Sequence, residues 1–132
     1  MITNDMDKHS PHTFRSANGE HVLDLSGTQG RILSANSGIQ LDAISIGQEI
    51  IAAAISNNRK WVAAAVQNLW GQTDLYVHKK QLDGTWSMTP RSHKRNIPIQ
   101  SLAWEEAGDS RYHPIDLIIT QKDGMRKRMS PA

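Results

Sequence analysis

The hydrophobic pattern changes character three times along the chain. Residues 1–19 are polar and rich in turn formers, with Pro11, Asn18 and Gly19, and read as a loose arm. Val22-Leu23-Asp24-Leu25 and Arg31-Ile32-Leu33 follow as short apolar patches separated by Gly27 and Gly30. Glycine between such patches predicts a strand pair around a turn. Ser37-Gly38 marks the next break.

The stretch from Leu41 to Trp70 supports two readings. Ile44, Ile51, Ile55, Trp61 or Val62, Val66 and Leu69 fall near steps of three, four and seven, which suits one face of a helix. Two alanine triplets, Ala52 to Ala54 and Ala63 to Ala65, add helix propensity. Against this stands the punctuation. Ile50 to Ile55 and Trp61 to Val66 are similar apolar blocks divided by Ser56-Asn57-Asn58-Arg59-Lys60, and adjacent asparagines favour turns over helix interiors. A hairpin of two buried strands is the favoured reading. The alternative is an α+β fold, with a helix or helix pair at 41–70 packed on an antiparallel sheet.

Beyond Trp70 the signals are those of strands. Thr73 to Lys79 reads as one, Asp83-Gly84 as a hairpin turn, and Thr85 to Met88 as its return. A basic loop from Arg91 to Asn96 leads to Ile99–Trp104, which alternates as a strand should. Ile115 to Thr120 is another strand. Asp123-Gly124 is a second turn of the same type, with Met125 to Met129 as its return. The chain is therefore expected to be mainly β, an arm over 1–19, a single small domain over 20–129 and a tail over 130–132.

Asp83-Gly84 and Asp123-Gly124 lie 40 residues apart, and Asp74-Leu75 and Asp116-Leu117 lie 42 apart. Short strands recurring at about 40–45 residues have the spacing of propeller blades. Over residues 40–125 the chain resembles the WD-repeat type of β-propeller. Ser101-Leu102-Ala103-Trp104 is similar to the inner strand of such blades, and Asp74-Leu75-Tyr76-Val77 to the later strand that ends in the signature dipeptide. That Trp-Asp dipeptide is absent, Val77-His78 standing near its place, and Ser92-His93 is the nearest match to the family's Gly-His pair. The resemblance implies two to three antiparallel propeller-like blades or a β-meander, and a scaffold that binds protein partners. A full propeller needs at least four blades, so it also implies a fragment or closure by self-association.

Composition bounds the rest. A chain of 132 residues with 38% hydrophobic and 21% charged residues is one ordinary folded domain rather than a disordered one. It has no cysteine, which removes disulfides, thiolate zinc sites and thiol nucleophiles together and suits a reducing compartment. The acidic start, with Asp5 and Asp7, is unlike a secretory signal, and no apolar run approaches the roughly 20 residues of a membrane span. The expected location is intracellular, cytoplasmic with the nucleus as the alternative, and no membrane partner is expected.

The net charge of +2 is unevenly placed: five Lys/Arg face seven Asp/Glu in residues 1–76, and ten face six in residues 77–132. Lys79, Lys80, Arg91, Lys94, Arg95, Arg126, Lys127 and Arg128 are the candidate residues for a polyanion or nucleic-acid surface. Trp61, Trp70, Trp86 and Trp104 are the candidates for an aromatic glycan-binding or base-stacking face, against the reading that they fill the core. The six histidines, His9, His12, His21, His78, His93 and His113, have no metal-ligand spacing. Glu105 and Glu106 are adjacent, so on a strand they point to opposite faces and share no substrate atom. Gly27-Thr28-Gln29-Gly30 lacks the ending of a phosphate loop, and no Gly-x-Ser-x-Gly elbow is present. The expectation is a non-catalytic module without cofactor or metal. It would bind a protein partner or itself, with nucleic-acid or other polyanion binding and lectin-like glycan binding as alternatives.

Overall fold

The computed structural model describes residues 12–26, 29–46, 49–93, 96–108 and 113–131. Among these residues eleven strands follow one another: β1 (Thr13–Arg15), β2 (His21–Ser26), β3 (Gln29–Ser34), β4 (Gln40–Ser45), β5 (Glu49–Ile55), β6 (Trp61–Gln67), β7 (Thr73–Lys80), β8 (Trp86–Arg91), β9 (Ile99–Glu105), β10 (Asp116–Gln121) and β11 (Arg126–Met129). They form three sheets, ordered β1-β2-β3-β4, β5-β6-β7-β8 and β11-β10-β9, and every pairing is antiparallel. The fold is a succession of three meanders. Among the described residues there is no α-helix. The helix alternative for 41–70 is thereby excluded, and both alanine triplets lie in strands.

The second sheet decides the packing. Ala52 pairs with Ala65, Ala53 with Ala64 and Ala54 with Ala63, so the two triplets lie side by side across β5 and β6. Successive side chains on a strand point to opposite faces, and here both faces are covered. Ala52, Ala54, Trp61, Ala63, Ala65, Leu75 and Val77 cluster with Ile99, Leu102, Trp104, Leu117 and Ile119 of the third sheet. Ala53, Ile55 and Val62 cluster with Leu23, Leu25, Ile32 and Ile44 of the first. A strand buried on both faces is an unbroken apolar run rather than an alternating one, which is why the periodicity over 41–70 was ambiguous. The alanines keep the middle layer thin, and the neighbouring sheets supply the bulk. Trp104 reaches across the gap, its Nε1–H donating to the Ala54 carbonyl at 3.2 Å, and its ring meets Trp61 edge-on at 6.2 Å. Gly30 marks another close approach: a Cβ there would lie 2.8 Å from Ile44 Cγ2 and 2.9 Å from Leu25 Cδ2.

The first two sheets share one turn between their first and second strands. Ser16 Oγ–H donates to Asn18 Oδ1 at 2.8 Å, which also accepts from Glu20 N–H at 3.0 Å, while His21 N–H donates to Ser16 Oγ at 3.1 Å. Ser56, Asn58, Lys60 and Trp61 repeat these bonds at 2.6, 3.0 and 3.1 Å. Both turns place one residue in the left-handed region, Gly19 at φ 77° and Arg59 at φ 65°. The turns also tie the sheets together in sequence. Asn18 N–H donates to Asn57 Oδ1 at 3.0 Å, and Asn57 N–H donates to the Glu106 carboxylate at 2.8 Å. β5 accordingly lies beside both β1 and β9, so the first strands of the three sheets are neighbours.

Three expectations need correction. The stretch read as a loose arm enters the sheet at Thr13, where β1 pairs with β2; residues 1–11 lie outside the described residues. Arg91, expected to open a loop, closes β8 opposite Leu75. The two Asp-Gly turns are not equivalent points of a repeat. Asp83-Gly84 joins the third and fourth strands of its sheet, whereas Asp123-Gly124 joins the second and third of the next. Their likeness is local: each aspartate accepts the N–H two residues on, from Thr85 and Met125, at 3.0 Å, as Asx turns do.

Enlarging the middle layer should be costly. Ala63→Leu, at a fully buried position between the second and third sheets, is expected to destabilise the chain by about 1–3 kcal/mol through overpacking. Urea unfolding measures this, and an unchanged midpoint would contradict the two-sided burial.

Candidate functional site

A cleft of about 520 Å³ opens between the outer strands of the second sheet and β11 of the third, lined by Thr73, Leu75, Arg91, His93 and Lys127 among others. Register explains its lining. Arg91 lies opposite Leu75, whose side chain belongs to the cluster facing the third sheet. Lys127 lies opposite Ile119, which faces back from the other side of that cluster. The two cations therefore project into one gap. Arg91 is steadied by donating from Nη1 to the Pro131 carbonyl at 3.3 Å, and His93 Nε2 bonds the Ile97 carbonyl at 2.9 Å. Asp74 and Tyr76 also reach the rim.

The turn that precedes β7 stands at the same end of the sheet as the cleft. Asn68 closes it, its Oδ1 accepting Trp70 N–H at 2.9 Å and Gln72 N–H at 3.0 Å, and Gly71 supplies the left-handed residue at φ 75°. This hydrogen-bonded turn presents Leu69, 96% exposed, and Trp70, 78% exposed. Two large apolar side chains held in water on an ordered turn, next to a cationic cleft, are the chemistry of a contact surface.

The other candidate cations are dispersed. Lys79 and Lys80 stand at the far end of β7, Lys79 Nζ over the Trp61 ring at 5.0 Å and Lys80 Nζ over Trp86 at 5.4 Å. Lys80 also pairs with Asp42 at 2.8 Å. The run Arg126-Lys127-Arg128 divides between the two faces of β11, as alternation requires. Lys127 enters the cleft, while Arg128 on the other face pairs with Glu105 and with Asp116, the latter at 3.6 Å. Lys94 and Arg95 lie outside the described residues. Of the six candidates among the described residues, only Arg91 and Lys127 meet in the cleft.

The tryptophans occupy three different places. Trp61 and Trp104 are buried together between the second and third sheets. Trp86 lies between the first and second, its Nε1–H donating to the Ala43 carbonyl at 3.0 Å. Trp70 alone of the four stands in solvent. They form no common face. The sequence marks His93 only as a histidine without ligand spacing and a partial motif match, and Tyr76 only as part of a strand; tertiary pairing places both at the cleft. The Ser-x-Asn turns could have been seen, because Ser16 and Asn18 recur as Ser56 and Asn58.

A second groove, of about 340 Å³, lies where the first strands meet, lined by Phe14, Ala54, Leu102 and Trp104, with Arg15 its one charged residue. Among the described residues no group of three or more His, Cys, Asp or Glu side chains could hold a metal ion, and no helix is long and apolar enough to cross a membrane. No protein-family model and no curated protein matches the chain.

Two histidines are enclosed. His78 is buried on β7 and His21 is half-buried on β2; among the described residues neither His78 Nε2 nor His21 Nδ1 has a hydrogen-bond partner. Burial holds the His78 pKa below the ordinary imidazole range. Burial and then the nearby Arg59 lower His21, opposed by Glu20. Unfolding releases both to about 6.5, so below that pH the unfolded chain binds more protons and stability falls as the pH drops. The urea midpoint is expected to decrease between about pH 8 and pH 5.5. His78→Leu should flatten that decrease; a midpoint that rises toward acid would contradict the assignment.

Proposed function

We propose that this chain is a non-catalytic binding module that engages a protein partner, its three meanders being blades of the propeller kind that the WD-repeat resemblance implied. The observation that carries this reading is the pairing of an ordered apolar tip, Leu69 and Trp70, with the cationic cleft of Arg91 and Lys127. Tryptophan and arginine are the residues most enriched at the energetic centres of protein interfaces. A rigid turn also loses little conformational entropy on docking. The surface works by presenting side chains, with the three sheets as its support. In a cysteine-free chain we place this interaction in the cytoplasm.

The distribution of charge favours a protein over an extended polyanion. A phosphate backbone is held by many cations along one track. Here Arg128 and Lys80 are neutralised by carboxylates, and Lys79 lies at the opposite end of β7 from the cleft.

Selection of random peptides on the full chain tests the reading. Enriched peptides are expected to bind wild type and to lose about 30-fold in affinity with Trp70→Ala, the scale of an interface hot spot of roughly 2 kcal/mol. Arg91→Ala should weaken them as well. Failure to enrich any sequence, or peptides indifferent to both substitutions, would contradict it.

A further inference from the structure

Among the described residues the third sheet has one strand fewer than its neighbours, and its outer edge is basic. There the first two sheets have four strands each and the third has three. Among the described residues β11 pairs with β10 alone. At the hairpin's end Gln121 N–H donates to the Met125 carbonyl at 2.9 Å. Bonded and non-bonded pairs alternate along an antiparallel ladder. Lys127 and Met129 therefore turn their peptide groups toward β10, and Arg126 and Arg128 point theirs at the open edge. The corresponding edge of the second sheet is blunted by Pro90 on β8, which has no N–H to offer. β11 contains no proline, and Arg126, Lys127 and Arg128 are all exposed.

We propose that the β11 edge receives an extended acidic segment of a protein partner, which joins the third sheet as its fourth strand. The proposal rests on the protein-binding reading above and names the partner's chemistry. Main-chain bonds to Arg126 and Arg128 supply affinity, and alternate side chains supply selectivity. Acidic residues of the segment lie on the face of Arg126 and Arg128; Arg126 has no ion-pair partner among the described residues. The residues between them enter the cleft beside Lys127 and Pro90. Charge complementarity selects this occupant: Arg128 is already paired with Glu105 and Asp116, and a neutral or basic strand would leave Arg126 and Lys127 beside it unanswered.

The probe is a capped, fluorescein-labelled peptide of about ten residues alternating Glu and Val, added to the full chain and followed by anisotropy. Binding is expected to weaken at least about tenfold with Arg126→Glu and to fall as salt rises. The same peptide N-methylated at every second residue should not bind, since it cannot complete the ladder. Hydrogen exchange of the Arg126 and Arg128 amides should slow when the unmodified peptide is added. Three results would overturn the proposal: equal binding of the N-methylated peptide, equal binding of an oligothymidylate of similar charge, or slow exchange of those amides in a dimer without peptide. The last would make the occupant a second copy of this chain. Selected peptides that bind while this probe does not would refute strand addition and leave the protein-binding reading standing. If neither binds, both fail.

Discussion

Burial of the second sheet on both faces is the constraint on which the rest depends. β5 and β6 each carry three alanines in cross-strand register, and a layer so thin lets the first and third sheets approach from either side. The first sheet brings Leu23, Leu25, Ile32 and Ile44 to this layer, and the third brings Ile99, Leu102, Trp104, Leu117 and Ile119. Each large side chain so buried contributes about 1.5–3 kcal/mol of transfer free energy. The exposed Arg31–Asp24 pair, by comparison, is worth about 0–1 kcal/mol. Sheet-to-sheet apolar packing therefore holds the molecule, and the ion pairs adjust its surface.

The same constraint explains what the sequence disclosed. β7, β9 and β10 were legible because their buried and less buried residues alternate, which is the period of a strand covered more on one face than the other. β5 and β6 were ambiguous for the opposite reason. With both faces covered nothing need be polar, and an alanine-rich apolar run is chemically compatible with either helix or strand. The polar turn Ser56 to Lys60 tipped the reading, and its hydrogen bonds show why: Ser56 and Asn58 satisfy the backbone of a tight hairpin that a helix would have broken. β1 escaped notice because three residues, Thr13, Phe14 and Arg15, are too few to establish a period. The spacing of the Asp-Gly turns measured two similar local structures at different places in consecutive sheets.

The candidate site was less legible than the fold. A run such as Arg126-Lys127-Arg128 reads as one basic patch in sequence, yet on a strand it must divide between faces, and pairing with β10 decides which residue goes where. Arg91 and Lys127 come from different sheets and meet only because both sit opposite residues of the shared core. Trp70 was recognisable as distinctive, but its exposure depends on the turn that Asn68 closes. The side chains and strand edges not consumed by packing lie at the margins of the sheets.

Residue-resolved amide hydrogen exchange addresses the central claim most directly. β6 is paired on both sides, by β5 and β7, within the sheet that is covered on both faces, and its alanine triplet lies at the centre of that layer. The amides of Ala63, Ala64 and Ala65 should therefore exchange among the slowest in the chain, opening only with global unfolding. Exchange of those amides faster than amides of β4 that are bonded to β3 would contradict the account, for it would mean that the alanine layer is not the centre of the structure.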